Sequence, residues 1–118
     1  MTRIQIELVS EFKGEPVVLV AMDGDGLDVV RGSLALSKVG QLQTIVVGAI
    51  TIAFSTEASS SSIDIRPSKV TLQLAPRKID EIIEKLDAMR ASPGPCHHYV
   101  GIDAPTETLV LAKDEYLT

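Results

Sequence analysis

Apolar and polar residues alternate along several short stretches of the chain, which is the pattern of half-buried β-strands. The first stretch runs from Ile4 to Val9. A second predicted strand, the uninterrupted apolar run from Val17 to Met22, follows it after a turn that contains Gly14 and Pro16. Because the connection is short, we predict that these two strands form a hairpin. The pattern predicts further strands at Gln43 to Phe54, Ile63 to Ile65, Val70 to Leu74, His97 to Ile102 and Thr108 to Ala112.

The apolar spacing changes from that of a strand to that of a helix at Leu27. Leu27, Val30 and Leu34 are three and four residues apart, an interval that places them on one helix face. We predict that this helix begins near Leu27, that Asp25 caps its N-terminus and that it ends near Gly40.

A second predicted helix begins at Pro76, because proline suits the first position of a helix. The run from Ser92 to Pro95 must end it. With the strands, the two helices predict an α+β fold: a two-layer sandwich in which a mostly antiparallel sheet of about six or seven strands carries two helices on one face. The apolar stripe of the second helix consists of Ile79, Ile82, Ile83, Leu86 and Met89.

A faint repeat relates residues 16–40 to residues 68–92. Six apolar residues of the first segment have apolar counterparts 52 positions later. Polar residues do not follow this spacing, so two strand-helix units with the same periodicity also explain the match. We therefore predict a single domain over residues 1–118 and leave a degenerate duplication open. The pairs are Val18 and Val70, Val20 and Leu72, Met22 and Leu74, Leu27 and Ile79, Val30 and Ile82, and Leu34 and Leu86.

The charge of the chain is acidic and spread over both halves. Sixteen Asp and Glu residues against eleven Lys and Arg residues give a formal net charge of −5 at pH 7. Such a surface repels phosphate backbones and carries no basic stripe with interleaved aromatic residues, so we predict no nucleic-acid binding. The same charge suits a basic protein partner, because complementary charge steers encounter.

The cellular location is predicted from the N-terminal segment and from the single cysteine. Residues 1–5 show no apolar run behind a basic head, and one cysteine cannot form an internal disulfide. The longest apolar stretch, Ile45 to Phe54, is too short to cross a membrane. We therefore expect a cytoplasmic protein that does not associate with membranes.

Residues that could carry chemistry are concentrated near the C-terminus, where Cys96, His97, His98 and Tyr99 are consecutive. Neighbours on a strand point to opposite faces, so Cys96 and His98 should share one face, and His97 and Tyr99 the other. A structural zinc site needs about four ligands at paired spacings, which this run lacks. We expect no cofactor and keep zinc at Cys96, His97 and His98 as an alternative.

The segment from Cys96 to Tyr116 contains a strand with a His-x-aromatic pattern, a short turn with Asp103 and Pro105, and then Leu109-Val110-Leu111. With Met22-Asp23 through Gly26-Leu27 earlier in the chain, it resembles the small bacterial immunity proteins of polymorphic toxin systems. Gly101 and Ala112 stand where the family pattern has Asp and Ser. The resemblance implies that the chain binds a toxin and neutralises it.

We therefore expect a non-enzymatic protein-binding module whose partner is a basic toxin domain. The candidate contact residues are His97, Tyr99, Asp103 and Glu115, because tyrosine supplies rigid amphipathic contact area and the acids supply charge complementarity. The sequence contains neither a phosphate-binding glycine loop nor a nucleophile elbow, the motifs that would indicate an enzyme.

Two alternatives remain open at the level of sequence. The first is a small metal-binding protein or enzyme that uses Cys96, His97 and His98. The second is a structural subunit that forms a homodimer through an exposed edge strand.

Overall fold

The computed structural model describes residues 2–57 and 59–117. This part of the chain contains two helices and eight strands, and the fold class is α+β as predicted. Most of the predicted elements lie where the apolar pattern placed them. Their bounds are β1 (Ile4–Phe12), β2 (Glu15–Met22), α1 (Gly24–Lys38), β3 (Gln43–Val47), β4 (Ile50–Thr56), β5 (Ser62–Ile65), β6 (Lys69–Leu74), α2 (Pro76–Ala91), β7 (Cys96–Gly101) and β8 (Thr108–Lys113).

The strands form two mixed sheets of four, and the prediction of one mostly antiparallel sheet is wrong. Sheet A has the order β1-β2-β8-β7, and sheet B has the order β3-β4-β6-β5. In each sheet two antiparallel hairpins join through a central parallel pair, β2 with β8 and β4 with β6. The sequence pattern missed these pairs because a parallel pairing between distant strands leaves no local signal.

The two helices also do not share one face of one sheet. Helix α1 contacts β3 and β4 of sheet B, β2 of sheet A and α2, whereas α2 contacts β7 of sheet A. Both helices and the inner faces of both sheets enclose one apolar core. The core contains all twelve residues of the six apolar pairs that are spaced 52 positions apart.

The stretch from Gln43 to Phe54, predicted as one strand, is a hairpin. Val47 of β3 pairs with Ile50 of β4 across a turn formed by Gly48 and Ala49. Gly48 has a φ of +62°, which glycine adopts without steric cost. The turn escaped prediction because the residues around it are apolar and lack the usual polar turn signals.

Helix α1 begins earlier than predicted, at Gly24, and its N-cap is Asp23 and not Asp25. The Asp23 side chain accepts hydrogen bonds from the backbone N–H of Gly26 at 2.6 Å and of Arg3 at 3.1 Å. A methyl group on Gly26 would lie 2.3 Å from the carbonyl oxygen of Arg3. The helix therefore starts in direct contact with the chain that enters β1, a position that only glycine fits.

The two halves of the chain have the same order of elements: a hairpin, a helix and a hairpin. Each sheet combines the first hairpin of one half with the second hairpin of the other. The helices begin 52 positions apart, at Gly24 and Pro76, in agreement with the spacing of the apolar pairs. A true duplication stays a prediction.

Charged residues on the two helices also follow the 52-residue spacing, contrary to the prediction from the sequence. Asp28 of α1 pairs with Arg90 of α2 at 3.0 Å, and Asp80 of α2 pairs with Lys38 of α1 at 2.5 Å. Because Asp28 corresponds to Asp80 and Lys38 to Arg90, the two ion pairs are equivalent. They link the exposed sides of the helices.

Candidate functional site

The outer face of sheet A carries a second, smaller apolar cluster. By contrast, the outer face of sheet B presents Thr and Ser side chains such as Thr44, Thr51 and Ser55, which alternate with the core residues. The two sheets thus differ on the sides that face away from the core. The cluster on sheet A contains Phe12, Val17, Leu19, Ala21, Val110 and Ala112, with Val9 and Leu117 packed against it.

The chain after β8 turns back over this apolar face. Asp114 and Tyr116 both adopt left-handed backbone conformations, with φ of +57° and +62°. The backbone N–H of Asp114 donates to the carbonyl oxygen of Met22 at 2.8 Å, which holds the turn against β2. Aspartate tolerates this conformation, whereas for a bulky residue such as Tyr116 it is an outlier. The reversal places Glu115 and Tyr116 beside β7.

His97 of β7 lies at the centre of this region and contacts polar groups at both ring nitrogens. Its Nδ1 lies 3.0 Å from Oε1 of Glu115, and its Nε2 lies 3.4 Å from the hydroxyl oxygen of Tyr99. A carboxylate only accepts, so the Nδ1–H donates to Glu115, and Nε2 faces the Tyr99 hydroxyl. The carboxylate therefore fixes the orientation of the imidazole.

The rings of Phe12, Tyr99 and Tyr116 lie around His97 with edge-to-face geometry. We call these four residues the aromatic cluster. The ring centroids of Phe12 and Tyr116 lie 5.3 Å apart, and those of His97 and Tyr99 lie 5.5 Å apart. Phe12 is 8% exposed, while Tyr99 and Tyr116 are 46% and 41% exposed. The cluster is anchored in the apolar face of sheet A and presents two phenol rings to solvent.

The structure brings three of the four predicted contact residues together, namely His97, Tyr99 and Glu115. The fourth, Asp103, lies in the loop between β7 and β8 and is bound to a different segment. Its carboxylate accepts from the backbone N–H of Ser61 at 2.7 Å, and its own N–H donates to the Ser61 carbonyl at 2.8 Å. Asp103 thus ties the loop to the start of β5, which is a structural role.

Sequence reasoning did not identify Phe12 as part of this site. Its side chain joins the outer face because the register of β1 against β2 shifts between Val9 and Phe12. A bulge of this kind changes which face a residue occupies, and periodicity alone does not show it. Tyr116 lies in the segment that resembles immunity proteins. Its contact with Phe12 could not be predicted, because that contact depends on the left-handed turn after β8.

The three ligand-type residues of β7 occupy both faces of the strand, as predicted. Cys96 packs against the core, and its Sγ lies 3.9 Å from the carbonyl oxygen of Met89, whereas His97 lies in the aromatic cluster. His98 is in register with Leu111 and therefore shares the face of Cys96. Within residues 2–57 and 59–117, no three His, Cys, Asp or Glu side chains are grouped so as to hold a metal ion.

A groove of about 370 Å³ lies beside Asp103. Glu15 and Glu107 line it together with Asp103 and Pro105, so its walls are acidic. The aromatic cluster does not line this groove.

Neither helix in the described part of the chain is long and apolar enough to cross a membrane.

Comparisons with known proteins identify no similar protein from which a role for this site could be taken. No protein-family model matches the chain, and no curated protein and no solved structure shows significant similarity to it. The resemblance to immunity proteins therefore depends on the residues quoted above and stays a prediction.

Proposed function

We propose that this chain is a non-enzymatic protein-binding module and that the aromatic cluster is its contact surface. The main observation behind the proposal is that Tyr99 and Tyr116 are both half-exposed and that both rings pack against the buried ring of Phe12. Tyrosines that present a ring and a hydroxyl together are enriched among the residues that dominate binding energy in interfaces.

The surface is ordered before a partner arrives. Tyr99 projects from a strand, and its hydroxyl approaches His97, whose ring is in turn bonded to Glu115. Side chains that are already fixed lose little conformational entropy on association, so more of the contact energy becomes affinity. This arrangement favours recognition of a macromolecular surface, because the rings project outward from the sheet.

The charge around the cluster suits a basic partner. Glu115 is bonded to His97 of the cluster, and Glu7 lies on the same outer face, opposite Leu19 in the register of β1 and β2. One cation, Lys13, lies over the Phe12 ring, with its Nζ 5.8 Å from the ring centroid. The chain as a whole carries a formal charge of −5. With the resemblance to immunity proteins, this charge leads us to propose a basic toxin domain as the partner and neutralisation of that toxin as the function.

Affinity capture followed by a binding titration tests the proposal. Wild-type protein and the Tyr99→Ala variant are used in parallel on lysate of the source organism, and the captured protein is purified and titrated. We expect Tyr99→Ala to raise Kd about 30-fold, because truncation of a central tyrosine costs about 2 kcal/mol. Thr71→Ala, on the outer face of sheet B, is the matched control and should bind as wild type does.

A growth assay then tests the toxin. The captured protein, expressed alone, should stop growth, and co-expression of wild-type chain should restore it more fully than co-expression of Tyr99→Ala. Equal binding by Tyr99→Ala and wild type would refute the contact surface. A captured protein that does not impair growth would refute the neutralising role. Stoichiometric zinc in untagged protein, lost in His98→Ala, would instead favour the metal-binding alternative.

A further inference from the structure

Strand β3 forms one outer edge of sheet B, and its residues Thr44 and Val46 are exposed. Strand β3 lies at the end of the sheet and pairs only with β4 among the described residues. Val47 and Ile50 flank the two-residue turn and exchange backbone hydrogen bonds, and such pairs alternate along an antiparallel ladder. Residues 44 and 46 therefore direct their N–H and C=O groups away from β4, toward the free edge, and residue 42 is the next position of the same alternation, just before β3.

This edge lacks the protection that exposed strands normally have. Residues 39–56 contain no charged side chain. Leu42 and Val46 are each 69% exposed, although both are large and apolar. Of the other three edge strands, β1 and β5 carry charges, for example Glu7 and Asp64, and β7 has no Asp, Glu, Lys or Arg of its own but is flanked by Glu115, which contacts its His97. Charged side chains on an edge prevent pairing with other chains, so their absence from β3 marks it as a pairing surface.

We propose that a second copy of this chain pairs antiparallel with β3 around a two-fold axis at Thr44. Leu42 and Val46 lie two residues on either side of Thr44, so this register places Leu42 opposite Val46 of the partner subunit. The residues that direct their backbone groups to the edge then meet one another as hydrogen-bonded pairs. The four-stranded sheet B becomes half of a continuous eight-stranded sheet.

The edge favours a second copy over an unrelated strand because it is self-complementary. The same residues supply both sides of an isologous contact, and each exposed apolar side chain meets the other. Two copies of net charge −5 repel each other over most of their surfaces, and the charge-free segment is where they approach without that cost. The proposal goes beyond the proposed function, since the aromatic cluster lies on sheet A.

Sedimentation velocity over a series of protein concentrations tests the dimer. Wild type should show a concentration-dependent dimer, and Val46→Lys should raise its dissociation constant at least about tenfold, equivalent to about 1.4 kcal/mol. The matched control is Val39→Lys, which introduces the same change at a residue that is 71% exposed in the same segment but lies outside β3. It should dimerise as wild type does. Circular dichroism checks that both variants remain folded.

Oxidative crosslinking tests the register. In a Cys96→Ser background, Thr44→Cys should form a disulfide-linked dimer, because opposed Cα atoms of a hydrogen-bonded pair lie about 5.5 Å apart, within disulfide range. Thr71→Cys, on the central strand β6, should remain largely monomeric. Both results would support the axis at Thr44.

Three outcomes would overturn the proposal: a wild-type chain that is monomeric at every concentration, equal loss of the dimer in Val39→Lys and Val46→Lys, or equal crosslinking at positions 44 and 71. Failure of the dimer is distinguishable from failure of the proposed function. Tyr99→Ala should leave the sedimentation profile unchanged, and Val46→Lys retains the aromatic cluster.

Discussion

Tyr116 combines an unfavourable backbone conformation with favourable ring packing. Its φ of +62° costs a non-glycine residue about 1–2 kcal/mol, while its ring packs edge-to-face on Phe12 at 5.3 Å. The contact with Phe12 offsets the cost of the turn. Strained residues of this kind are found where a surface must be held in a defined shape.

A pair of substitutions at position 116 separates these two effects. Tyr116→Ala and Tyr116→Gly both remove the ring, but only glycine adopts the left-handed conformation freely. We expect Tyr116→Gly to be more stable than Tyr116→Ala by about 1 kcal/mol in urea unfolding, the reverse of the usual order. Equal stabilities would show that the tail does not hold this conformation in solution.

Two glycines of helix α1 give opposite expectations. Gly26→Ala should lower the free energy of unfolding by about 1–3 kcal/mol, because the added methyl overlaps the carbonyl oxygen of Arg3. Gly32 faces open space in the same helix, so Gly32→Ala should raise the stability by about 0.5–1 kcal/mol. Thermal and urea unfolding of the two variants measure the contrast. A neutral Gly26→Ala would contradict the close approach of α1 and β1.

At the residue scale, strand alternation predicted one part of the site correctly. It placed Tyr99 on the same face as His97 and Cys96 on the other. The contact between His97 and Glu115 was not readable, because it depends on the left-handed turns after β8. Asp103 was predicted as a contact residue from its charge, and the structure places it apart from His97, with its carboxylate bonded to Ser61, so its role in contact stays a prediction.

At the scale of elements, ion pairs connect the exposed sides of α1 and α2. Arg31 binds Asp87 through Nε at 2.8 Å and Nη2 at 3.3 Å, in addition to the two equivalent pairs described above. The hydrogen bond from Arg31 lowers the pKa of Asp87 below its ordinary value of 3.8, and the attraction between the charges adds to it. Because the groups are exposed, the gain in stability is small.

The lowered pKa of Asp87 predicts the direction of its pH dependence. The carboxylate is favoured in the folded state, so the stabilisation is fully present above pH 3.8 and is lost as the pH falls through the lower folded-state pKa. The difference in unfolding free energy between wild type and Asp87→Asn should therefore be largest near neutrality and shrink in acid. Glu84→Gln, elsewhere on α2, is the control and should show a smaller difference at neutral pH.

Local signals predicted individual elements better than their arrangement. Helix α2 was placed correctly because Pro76 and a clear apolar stripe mark its start. The start of α1 was missed because its first turn, Gly24-Asp25-Gly26, has no apolar residue before Leu27. The pairing of β2 with β8 joins residues about ninety positions apart, and such contacts depend on the whole fold and not on any local pattern.

At the scale of the molecule, the apolar interior is divided into two clusters on opposite sides of sheet A. Phe54 belongs to the main core, and Phe12 belongs to the smaller cluster that supports the aromatic surface. We expect Phe12→Leu and Phe54→Leu each to destabilise the chain by about 1 kcal/mol. Because they share no contact, their effects should add within about 0.5 kcal/mol.

A second double variant provides the comparison for additivity. Phe12→Leu with Tyr116→Ala should not be additive, because these two rings touch. Urea unfolding of the single and double variants measures both cycles. Coupling between Phe12 and Phe54 as strong as that between Phe12 and Tyr116 would contradict the division into two clusters.

Each sheet draws one hairpin from either half of the chain, and this has a consequence for how the protein emerges from the ribosome. Sheet A cannot close until β8, residues 108–113, has been synthesised, because its partner β2 lies near the start of the chain. While the second half is translated, β2 of the first half can pair with β1 but its other edge has no partner and its apolar side chains are exposed, and such exposed edges favour aggregation. A chaperone that binds nascent chains would find its target in β2, whose residues Val17 to Met22 are all buried once folding is complete.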